Sequence, residues 1–338
     1  MTPRERAQAA LGGTAPDDCV PFFELGFQLT ADLLGADFPS HDEQRRAGQA
    51  ERERLRQRAL ELTVRVAEHY QYSVICYWDP IPRLSFDDDL WYVAALRRAV
   101  GSRHLIAASA DGTFAIPDGT HMMELAAQFI EHPQDMHALA AGNLRSAVEQ
   151  SKRLIAAGAD AIVMCADYCF NDGPFLSPRM FGEFVTPYLH EQVRAVRGAG
   201  AYAIKHSDGN IMPILDQLLS CEPSGIHSLD PQGRVDVAEL KRRVGVRTCL
   251  IGGVHCGMMQ TGTDADVIRS CQYVLRHGMP GGAYMYGLSN VAYRGLTLER
   301  YRLMVDVLKT HGRYPFRPFA VTGVLEADPS PRAAERPS

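Results

Sequence analysis

The sequence lacks the marks of several whole classes of protein. No apolar run among its 338 residues approaches the roughly 20 needed to span a bilayer. The opening Met1-Thr2-Pro3-Arg4-Glu5-Arg6 is charged and has no apolar signal core behind it. No basic block stands out either, since Lys plus Arg number 35 against 40 Asp plus Glu, a net charge of −5. So mild an acidity offers no electrostatic footprint for nucleic acid and no polybasic face for a membrane surface. A Walker phosphate loop, a dinucleotide glycine fingerprint and a nucleophile elbow are all missing. Eight cysteines are present, but no pair has the two-residue gap of a zinc ribbon; the nearest, Cys165 and Cys169, are four apart. The expected class is a cytoplasmic enzyme with reduced thiols.

What is present is apolar material in a regular order. Hydrophobic residues make up 46% of the chain, enough for a large core. Short apolar runs at 20–25, 72–78, 104–108, 161–166, 201–205, 226–229, 248–252 and 283–286 read as strands. Between them, Ala-, Leu-, Arg- and Glu-rich stretches at 42–70, 87–100, 134–157, 178–198, 211–219, 236–244, 264–277 and 297–311 read as helices. Eight strands each followed by a helix predict an α/β fold, a (β/α)8 TIM barrel, over an open doubly wound sheet. The chain exceeds the typical ~250 residues of that fold, so extensions are expected. They are assigned to a helical N-terminal cap at 1–18, to the long helix within 42–70 and to loop material at 109–133. Residues 1–318 are expected to form one domain and 319–338, rich in Pro, Arg, Glu and Ala, a frayed tail. Several cysteines, among them Cys76 and Cys249, sit inside strand runs and read as small buried hydrophobes.

Barrel enzymes place their chemistry at the C-terminal ends of the strands. Acids and imidazoles collect there in this sequence: Glu24, Asp79, Asp167, Asp172, His206, Asp208, His227, Asp230 and His255. In His206-Ser207-Asp208 two good ligands stand two apart, so an extended segment points both to one side. His227 or Asp230 from the next strand end would complete a three-ligand cluster. A histidine with carboxylates suits zinc with an open position, or another first-row divalent ion. The alternative is that Asp208 caps a following helix and His206 contacts substrate. Cys256 is the weaker ligand candidate.

Asp79 lies among Tyr77, Trp78 and Pro80, an apolar setting that would raise a carboxyl pKa and suit a general acid or base. Of Asp167 and Asp172, one is expected to brace the Gly173-Pro174 turn and the other to face the site. Glu24 lies between Phe23 and Leu25, where an unpaired buried carboxylate is costly. It either pairs with a cation in the barrel or faces the pocket. Gly252-Gly253 is a turn pair that could approach a phosphate.

These motifs together resemble the uroporphyrinogen decarboxylase superfamily, whose members are (β/α)8 barrels. The similarity runs from Thr2-Pro3-Arg4-Glu5-Arg6 through Asp18-Cys19-Val20-Pro21 to His311-Gly312-Arg313-Tyr314-Pro315. Its most specific pieces are 171–180 (Asn-Asp-Gly-Pro-Phe-Leu-Ser-Pro-Arg-Met), 206–210, Thr261-Gly262-Thr263 and Gly281-Gly282. Asp79 matches the aspartate that the decarboxylating branch carries after its second strand. That branch's arginine-rich loop is replaced here by Phe22-Phe23-Glu24-Leu25-Gly26-Phe27, with no cation to clamp a tetrapyrrole's carboxylates.

The resemblance is closer to the corrinoid-dependent methyltransferase-like branch, which often holds zinc through a His-x-Cys pair, an acid and a further Cys. His206 matches the histidine, Asp208 stands where the first cysteine would be, and Asp230 matches the acid. Near the eighth strand Tyr286 and Ser289 are found and no cysteine. The resemblance therefore implies methyl transfer from a small methylated substrate, for example a methoxylated one, to a corrinoid protein. The metal would be zinc at His206, Asp208 and Asp230; Asp79, His206 and Asp167 would be catalytic. Phe22, Glu24, Trp78, Asp172, Tyr284 and Tyr286 would bind substrate. The cobalamin is expected on a separate partner, because this chain has no Asp-x-His-x-x-Gly segment. A homodimer is expected from the family. The alternative activity is a metal-free decarboxylase or lyase using Asp79 and His206 as acid and base.

Overall fold

A computed structural model describes residues 1–77 and 84–325. Eight strands alternate with helices: β1 (Phe23–Glu24), β2 (Val74–Cys76), β3 (Leu105–Ser109), β4 (Ala161–Met164), β5 (Tyr202–His206), β6 (Gly225–Ser228), β7 (Cys249–Gly252) and β8 (Tyr284–Met285). They pair in this order and all in parallel. The ring closes where the Phe23 N–H donates to the Tyr286 carbonyl (2.8 Å) and the Tyr286 N–H to that of Pro21 (2.9 Å). This is the (β/α)8 barrel expected from the pattern.

The period-2 alternation of the strands divides their side chains between two cores. Phe23, Val74, Leu105, Ala107, Ala161, Val163, Ile204, Cys249, Ile251 and Met285 fill the barrel, while Ile75, Ile106, Ile162, Ala203, Ile226, Leu250 and Tyr284 face the helices. The helix Pro3–Leu11 starts with a Thr2–Glu5 capping box and lays Ala7 and Ala10 against the inner core, closing the N-terminal end. Arg4 fixes it there with a two-pronged ion pair to Asp160 at 3.0 and 2.7 Å. The open mouth is therefore at the other end.

Three segments differ from the sequence expectation. The expected helix 42–70 is two, His41–Arg46 and Gln49–Tyr70, because Ala47 is extended and Gly48 begins the second. Within the expected loop 109–133, Met122–Glu131 is helical. Pro187 at the start of Thr186–Gly198 removes a helical donor and divides the 178–198 stretch at Val185. The tail is anchored as far as it is described. Gln272 accepts from the Thr322 and Gly323 N–H groups (2.9 and 3.0 Å) and donates to the Val324 carbonyl at 3.0 Å. Among the described residues, no helix is long and apolar enough to cross a membrane.

Candidate metal centre

At the mouth, the ends of β4, β5 and β6 converge on one cluster. Asp167 follows β4, His206 ends β5 and Asp208 stands two residues beyond; one ligand atom from each lies within 4.8 Å of the others. His206 Nε2 is 3.6 Å from Asp167 Oδ1 and 3.8 Å from Asp208 Oδ1. Both separations are too long for good hydrogen bonds. They are a little wider than the ~3.3 Å between neighbouring ligands around a tetrahedral ion with bonds of ~2.0–2.2 Å. A modest inward movement of the two carboxylates would close the set.

Each member is held by a neighbour. The Asp208 N–H donates to Asp167 Oδ1 at 2.9 Å. The Asp208 carboxylate accepts from Ser228 Oγ at 2.7 Å and from the side-chain amide of Asn290. His206 and His227 are direct partners on adjacent parallel strands, both face the barrel interior, and their Nδ1 atoms are 2.8 Å apart. Ser228 and Leu229, with φ of +93° and +51°, sit in the left-handed region, which costs non-glycine residues about 1–3 kcal/mol each. That turn carries the hydroxyl which orients Asp208. Gly209 needs its φ of +78° and its missing side chain, since a Cβ would lie 2.4 Å from the Cys169 carbonyl oxygen.

The electrostatics favour a cation. Burial, opposed by the Ser228 hydrogen bond and reinforced by the charges of Asp167 and Asp230, pushes the Asp208 carboxyl up to about 7. Burial pushes the His206 imidazole down to about 4 against the attraction of Asp167, so it is neutral near pH 7. Among the described residues no lysine or arginine pairs with Asp167 or Asp208. One neutral nitrogen donor and two carboxylates without a positive partner fit a divalent ion such as zinc.

Lys205 is buried one step along β5 and points to the opposite side of the strand. Its Nζ donates to Asp111 Oδ2 (2.9 Å) and to the carbonyls of Ala166 (2.8 Å) and Met164 (3.2 Å), and it lies 4.0 Å from the Tyr168 ring centre. Asp111 also accepts from the Ala166 N–H at 2.8 Å. This buried pair grips the backbone on both sides of Cys165 and thereby places Asp167.

The structure brings together His206, Asp208 and Asp167 but corrects other expectations. Asp230, expected as the third ligand, lies outside the cluster; its two oxygens accept from the N–H groups of Gly209 (3.2 Å) and Gln232 (3.0 Å). It braces two loops and supplies charge to the site. Among the described residues Glu24 has no cation partner, and it does not face the mouth. Strand alternation turns it outward, where it accepts from the Tyr301 hydroxyl at 3.0 Å beside a cavity of about 40 Å³. Phe22, Tyr284 and Tyr286 are also core residues. Phe22 packs among Tyr70, Tyr72, Tyr286 and Tyr301, while Tyr284 and Tyr286 donate to the carbonyls of Gly252 and Met304, each at 2.9 Å. Asp172 is a surface residue paired with Arg234 at 3.3 Å.

Cys256 is buried near Ser289 and is not in the cluster. Gly252 closely approaches protein backbone: a Cβ there would lie 2.5 Å from the Leu288 carbonyl oxygen. Trp78 and Asp79 lie outside the described residues. Sequence reasoning missed Ser228, Asn290, Asp111 and the role of Lys205. A lysine inside an apolar strand was the one available signal, since it requires a buried partner.

No curated protein matches the sequence. A methyltransferase from Methanosarcina mazei superposes with a TM-score of 0.70 at 16% identity, covering 91% of this chain and 98% of that one. A putative vitamin-B12 independent methionine synthase from Listeria monocytogenes gives 0.54 at 11% identity, covering 86% and 97%. Both likenesses concern the fold. The model of the family described as uroporphyrinogen decarboxylase (URO-D) matches residues 96–311, which include every residue of the cluster and its supports. The chain belongs to the uroporphyrinogen decarboxylase family.

Proposed function

We propose that this protein is a methyltransferase that moves a methyl group from a small methylated substrate, such as a methoxylated compound, to a corrinoid carried by a separate protein. The observation that carries the reading is the donor set Asp167, His206 and Asp208, gathered at the mouth with no paired cation among the described residues. Zinc bound there would act as a Lewis acid on the heteroatom that the methyl group leaves. The chain's own residues do the rest. Ser228 and Asn290 orient the Asp208 carboxylate, and burial keeps His206 neutral and able to donate a lone pair. Asp79, assigned from the sequence, would supply the proton that the demethylated heteroatom takes up. The arginines needed to clamp a many-carboxylate tetrapyrrole are missing from 22–27. The structural neighbour named as a methyltransferase agrees with this choice.

The test combines the zinc-loaded protein, a methoxylated aromatic compound and cob(I)alamin. Growth of the methylcobalamin absorbance together with release of the demethylated phenol is expected, and loss of both in chelator. A second reading, a metal-free lyase or decarboxylase, is favoured by one observation. Asp208, pushed up to about 7 by burial, can itself give or take a proton near neutral pH beside the neutral His206 ring. Turnover in chelator with no corrinoid would establish that reading instead.

A further inference from the structure

The transfer proposed above uses the barrel mouth and leaves without a task a second cleft, of about 500 Å³, outside the ring of strands. It lies between the loop after β6, the loop after β7, the helix Asp264–Gly278 and Val321 of the C-terminal segment. None of Asp167, His206 and Asp208 lines it. Its volume falls within the range of about 300–1,000 Å³ that small-molecule pockets occupy. Val237, Val274, Met258 and Val321 give it apolar walls, and Tyr273 an aromatic one.

The walls are held in place. The Tyr273 hydroxyl donates to Asp236 Oδ1 at 2.7 Å, and the same oxygen caps the helix Val237–Val244 by accepting from the Ala238 N–H at 3.0 Å. Gln272 fixes Val321 by accepting from the next two N–H groups. Two polar groups on one side keep unused capacity. His255 Nδ1 accepts from the Met258 N–H at 3.3 Å, so the ring is neutral and its proton sits on Nε2, which has no partner among the described residues. Ser270 Oγ accepts from the His255 N–H at 3.0 Å, and its own proton also goes to none of the described residues. Around the cleft Arg234 and Arg269 balance Asp236 and Asp266, so the lining carries no net charge to attract an ion.

We propose that this cleft is a second binding site, for a small neutral molecule with an aromatic body and one hydrogen-bond acceptor: the body packs against Tyr273 and Val274, and the acceptor takes the free protons of His255 and Ser270. Apolar walls supply the affinity and the two donors fix the orientation, the usual division of labour in a small-molecule pocket. The assignment depends neither on a metal at the mouth nor on methyl transfer.

The test follows the ¹³C-methyl signals of methionine and valine in the full-length protein during titration with three probes. Acetophenone, an aromatic ring with one carbonyl acceptor, is expected to shift Met258 and Val274 saturably. Ethylbenzene, which lacks the acceptor, should bind about 3–10-fold more weakly, and benzoate should bind no more tightly than acetophenone. Val321→Trp, which fills the cleft from its edge, should abolish the shifts. His255→Asn/Ser270→Ala keeps a side-chain cap at 255 and removes both free donors, so it should bring acetophenone and ethylbenzene to within about twofold of each other. No saturable shift up to the solubility of acetophenone, benzoate as the tightest probe, or binding that survives in folded Val321→Trp protein overturns the proposal. So does a preference for acetophenone that persists in the double variant.

Discussion

Replacing Lys205 by methionine tests how the mouth is built. The ammonium group is buried and meets Asp111, two backbone carbonyls and the face of Tyr168. Methionine keeps most of the volume and removes the charge. Burial by itself would raise the Asp111 pKa, but the Lys205 charge and the hydrogen bonds from Thr113, Lys205 and Ala166 hold it below the ordinary value. Without Lys205 the carboxylate is stranded, and breaking a buried pair on one side costs about 3–5 kcal/mol. With an unfolding entropy of about 2.1 cal/mol/K per residue, that loss lowers Tm by roughly 4–7 °C for a chain of this length.

The pH dependence has a definite sign. In the variant the folded-state pKa of Asp111 should lie above its unfolded value. The deficit should then shrink as pH falls from 7 toward the unfolded carboxylate range, where Asp111 takes a proton. Urea unfolding at several pH values measures this, with Asp111→Asn/Lys205→Met as the control. The double variant should be more stable than Lys205→Met alone, because no charge is left buried. A loss under 1 kcal/mol, or a double variant no better than the single, would refute the buried-pair interpretation.

Other substitutions separate the mouth from the core. Asp208 has a folded-state pKa raised to about 7, so its contribution is complete below the unfolded pKa and is lost as pH rises through 7. Metal-free protein should lose up to roughly 4 kcal/mol of stability between pH 4 and pH 8 from this group, and Asp208→Asn should flatten that slope in urea titrations. Glu24 is raised by burial, so Glu24→Gln should be near-neutral at pH 7, within about 1 kcal/mol, and remove an alkaline destabilisation. Tyr286→Phe should cost about 1 kcal/mol through its lost bond to Met304 and leave the KM for substrate unchanged. Asp172→Ala should stay within about 0.5 kcal/mol in stability and leave turnover intact, as its exposed pair with Arg234 implies.

The barrel was legible because strand and helix periods alternate eight times, and the inner and outer cores follow strand parity residue by residue. The same parity, applied more strictly, turns Glu24 and Tyr284 away from the barrel interior, since they stand one position from inward-facing Phe23 and Met285. Their place in the core could have been read from strand position alone. Asp167, His206 and Asp208 could be found because acids and imidazoles are nearly absent from the strand bodies and collect at the ends that form one mouth. Asp230 could not be separated from Asp167 by spacing. Both follow strands closely, and only the folded loop shows that Gly209 and Gln232 have taken the Asp230 oxygens. Asn290 gave no signal at all, because its contact with Asp208 joins positions 82 apart in the chain.

The most direct test is metal stoichiometry and zinc affinity in the wild type, Asp167→Asn and Asp230→Asn, read by elemental analysis and chelator competition. A centre built from Asp167, His206 and Asp208 predicts about one bound divalent ion per wild-type chain and a loss of 10-fold or more in affinity for Asp167→Asn. For Asp230→Asn, which removes no ligand, it predicts a change of a few-fold at most. Wild-type protein that takes up no metal, or an Asp230→Asn defect larger than that of Asp167→Asn, would contradict it.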